Sequence, residues 1–170
     1  MTTLRSERRL DSIDWRILRE LQADGRLSYN QLGRRVNLSA PAVAERVRRL
    51  EDSGAIAGYH ARVDATCAGY PLSAFVQMRC RLDRCLLRTT TAEEYPEVVE
   101  VHKLSGEHCA MLRARAASME HLEELFERLG RHGDIRTYVV LSTQYEGRPV
   151  EPPPEDIGAA THSEGWRRPR

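Results

Sequence analysis

The sequence predicts an α+β chain in two parts: an N-terminal helix-turn-helix unit, plain or winged, and a C-terminal ferredoxin-like domain of order β-α-β-β-α-β. Three observations predict it. Residues 10–54 carry apolar side chains at helical spacing in three short runs, with a brief polar break before the third. After Gly54 the period changes to two. The later segments then alternate strand-like and helix-like patterns in that order.

The first run is DSIDWRILRELQADG, where Leu10, Ile13, Ile17 and Leu21 share one face. Asp11 or Ser12 is placed to cap its start, and Gly25 follows its end. Trp15 lies off the stripe and reads as a packing residue. The second helix spans 28–36, with Ser28 as N-cap and Tyr29, Leu32 and Val36 as the buried stripe. Gly33 inside it costs about 1 kcal/mol against Ala, which implies close approach of another helix. Asn37 suits the left-handed residue of a tight turn. The third helix starts after Ser39, with Pro41 in its first turn, where no hydrogen bond is lost. Val43, Val47 and Leu50 face inward. Pro41, Glu45, Arg48, Arg49 and Asp52 face outward, flanked by Ala42, Ala44 and Arg46, and Gly54 ends the helix.

AIAGYHARVD alternates as a strand or strand-like linker would, and Gly69 and Pro71 punctuate the segment after it. Strands are expected at 72–80, 98–104, 110–116 and 135–145. Helices are expected at 84–95, interrupted by threonines, and at 118–133, where Leu122, Leu125, Phe126 and Leu129 share a face. The resulting divisions are a flexible tail (1–9), a helix-turn-helix domain (10–60), a hinge strand or linker (61–71), a ferredoxin-like domain (72–146) and a disordered tail (147–170).

Composition narrows the function. The 170 residues are 41% hydrophobic and 30% charged, with a net charge of +1, an ordinary globular profile. The first sixty residues lean basic and the remainder slightly acidic. No apolar run reaches the roughly 20 residues needed to span a bilayer, and the N-terminus lacks a signal core. A cytoplasmic protein without membrane contact is expected. Cys67, Cys80, Cys85 and Cys109 form no C-x-x-C pair or zinc spacing, so reduced structural thiols and no metal are expected. No phosphate loop, metal triad or spaced acid and base points to an enzyme. His102, His108 and Cys109 near one loop leave a thiol or metal site open.

The arginine-rich stretch LGRRVNLSAPAVAERVRRL carries the functional signal. In a helix-turn-helix the second helix of the pair enters the major groove and its N-terminal residues meet base edges. Ala42, Glu45 and Arg46 are placed for that. Ala40 and Ala42 are small enough to let the backbone approach and to touch a thymine methyl. Arg48 and Arg49 suit phosphates, and Ser28, Asn30, Arg34 and Ser39 complete the candidate contacts with double-stranded DNA. The same pattern also fits a solvated helix face with Glu45 paired to Arg49.

The segments LDSIDWRILRELQADGRLSYNQLGRRVNLSAPAVAERVRRLEDSGAIAGYHARVD, SGEHCAMLRARA and RTYVVLSTQY resemble the leucine-responsive regulatory protein/AsnC family of transcription regulators, over roughly residues 10–147. The resemblance implies a homo-oligomer, dimers pairing through their C-terminal sheets and often assembling into octamers. It implies action on the bacterial or archaeal nucleoid. No cofactor is implied, but an amino acid or related metabolite as effector, bound between C-terminal domains. The implied site is Gly106, Glu107, His108, Cys109 and Ala110, with Thr137 from the last strand. The family often shows Gly-Asp-Tyr-Asp where this chain has Gly106-Glu107-His108-Cys109, so Cys109 replaces the last acid. SGEHC also fits a plain hairpin loop. An effector-independent architectural DNA-binding protein is the alternative reading.

Overall fold

A computed structural model describes residues 10–154. The described residues divide into two compact units, one of residues 10–60 together with 147–154, the other Ala61–Glu146. The expected tail at 1–9 lies outside the described residues.

The first unit holds three helices, α1 (Ser12–Ala23), α2 (Tyr29–Val36) and α3 (Ala40–Ser53). Each start is set locally. Asp11 accepts from the backbone of Ile13 and Asp14, and Asp14 returns a bond to the Asp11 N–H. Ser28 and Gln31 form the same reciprocal box on α2, and Ser39 caps α3 with Pro41 behind it. Asn37, at φ 59°, makes the left-handed turn from α2, and Gly54, at φ 78°, ends α3. Ile17, Leu32, Val36, Val43, Val47 and Leu50 form the core, with Trp15 packed against it.

Gly33 has a different reason from the one expected. A Cβ there would lie 2.5 Å from the Leu38 carbonyl oxygen, so the crowding comes from the turn's own backbone and not from another helix. Tyr29, expected in the buried stripe, is 46% exposed. Among the described residues this unit contains no strand, so the helix-turn-helix is plain and not winged. Residues 55–64, expected as a strand or a strand-like linker, form no strand. Of the stretch expected to be disordered, residues 147–154 are described. Val150 exchanges two hydrogen bonds with the Gln22 amide, at 3.0 and 2.7 Å, and Glu151 pairs with Arg19 at 3.0 Å. The rest of that stretch lies outside the described residues.

The second unit is an antiparallel sheet of order β2-β3-β1-β4 with a helix on one face. Its strands are β1 (Leu72–Cys80), β2 (Val98–Lys103), β3 (Ala110–Ala116) and β4 (Gly133–Val139). Ala74, Val76 and Met78 alternate inward from β1, and Ala110, Leu112, Ala114 and Ala116 from β3. They pack against Leu122, Leu125 and Leu129 of a helix at Met119–Gly130. The expected helix over 84–95 shrinks to α4 (Leu86–Thr89) and a 3-10 turn at Ala92–Glu94. The long helix is therefore α5. β4 stops at Val139, short of the expected 145. No hinge strand forms at 61–71, where a turn bonds Tyr70 N–H to the Ala65 carbonyl.

Glu97 is the buried charge of this unit, 8% exposed. It accepts from His121 Nε2 at 3.1 Å and from the Arg128 guanidinium. Burial opposes its charge, but backbone and His121 hydrogen bonds and the Arg128 charge outweigh it and hold the carboxyl below its usual range.

Candidate nucleic-acid interface and effector loop

The surface of α3 follows from its buried stripe. With Val43, Val47 and Leu50 inward, Pro41, Glu45, Arg48 and Arg49 project into solvent, and Ala40 and Ala42 sit half-buried beside them. Ser39 spends its hydroxyl on the Ala42 N–H. Glu45 pairs with Arg48, three residues on, and not with Arg49. On α2, Asn30 and Arg34 stand four residues apart on an exposed face, and Ser28 Oγ is engaged with Gln31. Arg35 is drawn away to Glu20 at 2.8 Å.

Arg46 does not belong to the exposed set. Its Nη1 donates to Asp11 and to Asp14 at 2.7 Å each. The side chain is 22% exposed and Asp14 16%. The hydrogen bond to Arg46 is the main reason the Asp11 carboxyl falls below its ordinary range, helped by the Asp14 backbone. The same bonds raise the Arg46 guanidinium. Arg46 therefore fastens the start of α1 to the middle of α3. The reason is geometric: position 46 lies on the flank of α3 that meets the α1 capping box.

The candidate effector loop lies at one end of the sheet. Gly106 adopts φ +131° and its missing Cβ faces open space. Glu107 is exposed and meets Arg79 at 3.7 Å, and Arg79 also binds Asp134 at 3.1 Å. His108 is half-buried. Cys109 N–H donates to the Met78 carbonyl at 2.9 Å, joining the loop to β1. Ala110 is fully buried in the core, so its side chain is not available to an effector. Thr137 sits opposite Val76 on β4. Among the described residues, no hydrogen bond or ion pair joins it to the loop.

Three of the four cysteines meet beside this loop. The sulfurs of Cys80, Cys85 and Cys109 all lie within 4.8 Å of one another, each half-buried. Burial, then hydrogen bonds with Cys109 and Cys85, push the Cys80 thiol up to about 12. Sequence reasoning missed this group, as it missed Arg79. The signal was the strand pairing: Met78 opposite Ala110 sets Cys80 beside Cys109.

The comparisons with known proteins address both units. Residues 10–51 match the AsnC-type helix-turn-helix domain, and residues 73–150 match the Lrp/AsnC ligand binding domain. The HTH-type transcriptional regulator LrpA of Mycobacterium tuberculosis is 39% identical over 143 residues, 82% of this chain and 95% of that protein. The chain belongs to the Lrp/AsnC family. The structure of Bacillus subtilis LrpC matches with a TM-score of 0.75 at 33% identity, covering 80% of this chain and 97% of that one. The feast or famine regulatory protein of M. tuberculosis complexed with L-methionine matches with a TM-score of 0.75 at 37% identity, covering 85% and 100%.

This Lrp/AsnC-family chain is thus a DNA-binding transcriptional regulator with a ligand-binding domain. The family, the two-part fold and the regulatory role expected from its motifs are borne out, and the architectural alternative is not favoured. No described helix is long and apolar enough to cross a membrane.

Proposed function

We propose that this regulator reads duplex DNA as a homo-oligomer through the N-terminal half of α3, under the control of an amino acid or related metabolite bound in its second unit. The observation that carries the DNA reading is the solvent-facing start of α3. Ser39, Ala40, Ala42 and Glu45 lie on its first two turns, with Arg48 and Arg49 exposed behind them. In this reading the first four approach base edges in the major groove. Arg48 and Arg49 take phosphates, with Ser28, Asn30 and Arg34 of α2. The N-terminal amides of α2 favour a phosphate there.

Self-association is supported by the helix-free face of the sheet. Phe75 is 39% and Tyr138 50% exposed, paired across β1 and β4 with Gln77 and Met111 nearby. An uncovered face of that kind suits a second copy of the chain. A two-fold dimer would read half-sites about one helical turn, 34–36 Å, apart or a multiple of it, and dimers would assemble further into octamers. The effector is assigned to Gly106–Cys109, where Glu107 offers the acid for an amino group. The methionine complex of a relative supports an amino acid as its class. The regulator acts by binding, without catalysis, in the cytoplasm on the nucleoid.

Fluorescence anisotropy on the duplex upstream of its own gene, against a scrambled duplex, tests the reading. It is run at two salt concentrations with and without an amino-acid pool containing methionine. Specific binding that shifts with the pool is expected. Equal affinity for both duplexes would overturn sequence-specific reading, and specific binding blind to every pool would overturn the amino-acid effector.

A further inference from the structure

We propose that Cys80, Cys85 and Cys109 form a three-sulfur site for a thiophilic d10 metal ion of the zinc, cadmium or copper(I) class, independent of the DNA and effector assignments above. The ligands come from three segments: the end of β1, the residue before α4, and the last residue of the loop before β3. Their sulfurs already lie within 4.8 Å of one another. Three sulfurs held about 2.3 Å from a common zinc stand about 4 Å apart. Each thiol therefore needs only a small inward shift. Cys67, the fourth cysteine, is exposed and takes no part in the group.

The site is built by its surroundings. The Cys80 N–H donates to Cys109 Sγ at 3.1 Å, a hydrogen bond of the kind that favours sulfur as thiolate. Cys109 is pinned to β1 through Met78 and to Leu104 through its carbonyl. The turn carrying Cys85 is clamped on both sides of His132. The Arg81 N–H donates to the His132 carbonyl at 2.9 Å, and His132 Nδ1 donates to the Arg84 carbonyl at 2.9 Å. Tyr95 then donates to His132 Nε2 at 2.8 Å, which keeps the ring in place. The backbone around each of the three sulfurs is thus held by hydrogen bonds to a neighbouring segment.

The donor set selects the metal. Three sulfurs with no oxygen donor among them suit soft ions and reject magnesium and calcium. Binding displaces the proton of each thiol, so three protons leave as three metal–sulfur bonds form, with no change of oxidation state. With a divalent ion the site carries one net negative charge. A fourth coordination position stays open to water or a small ligand. Because Cys109 ends the Gly106 loop, occupancy also ties that loop to β1 and to the turn before α4.

The test uses the full reduced chain without oxygen, titrated with cadmium while the ultraviolet thiolate-to-cadmium band is followed. Zinc is then measured by competition with a colorimetric chelator. One equivalent should saturate the band, and the thiols open to reagent should fall from four to one. C80S, C85S and C109S should each weaken binding by more than the hundredfold that is about the most a supporting contact is worth. C67S should bind like the parent. Circular dichroism on each variant reports folding, and the chelator competition on the unaltered chain stands even if a variant unfolds. Binding without one-to-one stoichiometry, binding that survives the three single substitutions or requires Cys67, or no zinc held against the chelator would overturn the site. So would mass spectrometry finding a disulfide within the trio in place of bound metal.

Discussion

Replacing Arg46 with Met removes the guanidinium but keeps most of the stem's packing. Two charge-assisted hydrogen bonds at 2.7 Å are lost. Bonds to charged groups are worth roughly 1.5–3 kcal/mol, and exposed ion pairs about 0–1 kcal/mol. Asp11, 51% exposed, belongs at the low end, and Asp14, 16% exposed, nearer the high end. Asp14 is also left without its counter-charge. The expected loss is about 2 kcal/mol. A domain of this size holds only a few kcal/mol in all, at about 0.05–0.15 kcal/mol per residue. The melting temperature of the first unit should then fall by roughly 8–16 °C. Urea denaturation followed by Trp15 fluorescence measures it, and a cycle with Asp14→Asn isolates the pair. A coupling of about 0.5–3 kcal/mol is expected. If Arg46→Met melts within about 0.5 kcal/mol of the parent, the range of an ordinary surface change, yet loses specific DNA affinity, the reasoning is refuted and Arg46 reads bases.

Four further outcomes are expected. Gly33→Ala should destabilise the first unit by about 1–3 kcal/mol despite alanine's better helix propensity, because the new Cβ meets the Leu38 carbonyl 2.5 Å away; a more stable variant in thermal melts would show that the turn yields. Glu97, whose carboxyl is held below its usual range, contributes stability that is fully present above the unfolded value of about 4.3 and is lost as pH falls through its lower folded value. Glu97→Gln should flatten that acid limb in pH-dependent denaturation, and an unchanged limb would assign it to other groups. Arg49→Ala should weaken binding equally on specific and scrambled duplexes and lower the salt slope by about 1; a loss confined to the specific duplex would move Arg49 to a base edge. A bulky residue at Gly106, strained at φ +131°, should abolish the effector response while sedimentation finds the same oligomer; a retained response would move the site elsewhere.

Much of the first unit was legible because its signals are local. Asp11, Ser28 and Ser39 cap helices whose first turns lie within three residues of them, and Asn37 and Gly54 turn the chain where their backbones can. The strands β1 and β3 were legible because inward and outward residues alternate along each. The stretch 55–64 has that alternation too, but a strand needs a ladder partner, and among the described residues it has none. At 84–95 the threonines leave only four residues of helix, and β4 ends at Val139 where its pairing with β1 ends.

Helix periods, caps and strand alternation depend on residues within about four positions, and those were written in the chain itself, as was the family they spell. The fate of individual side chains depended on packing between distant segments. Arg46 became a fastener because α1 brings Asp11 and Asp14 to its flank. The Ala110 side chain is closed off because strand pairing turned it into the core. Cys80, Cys85 and Cys109 became one cluster because antiparallel register and a turn clamped by His132 close the distance. No spacing along the chain encodes such meetings, since each is set by which faces bury against each other.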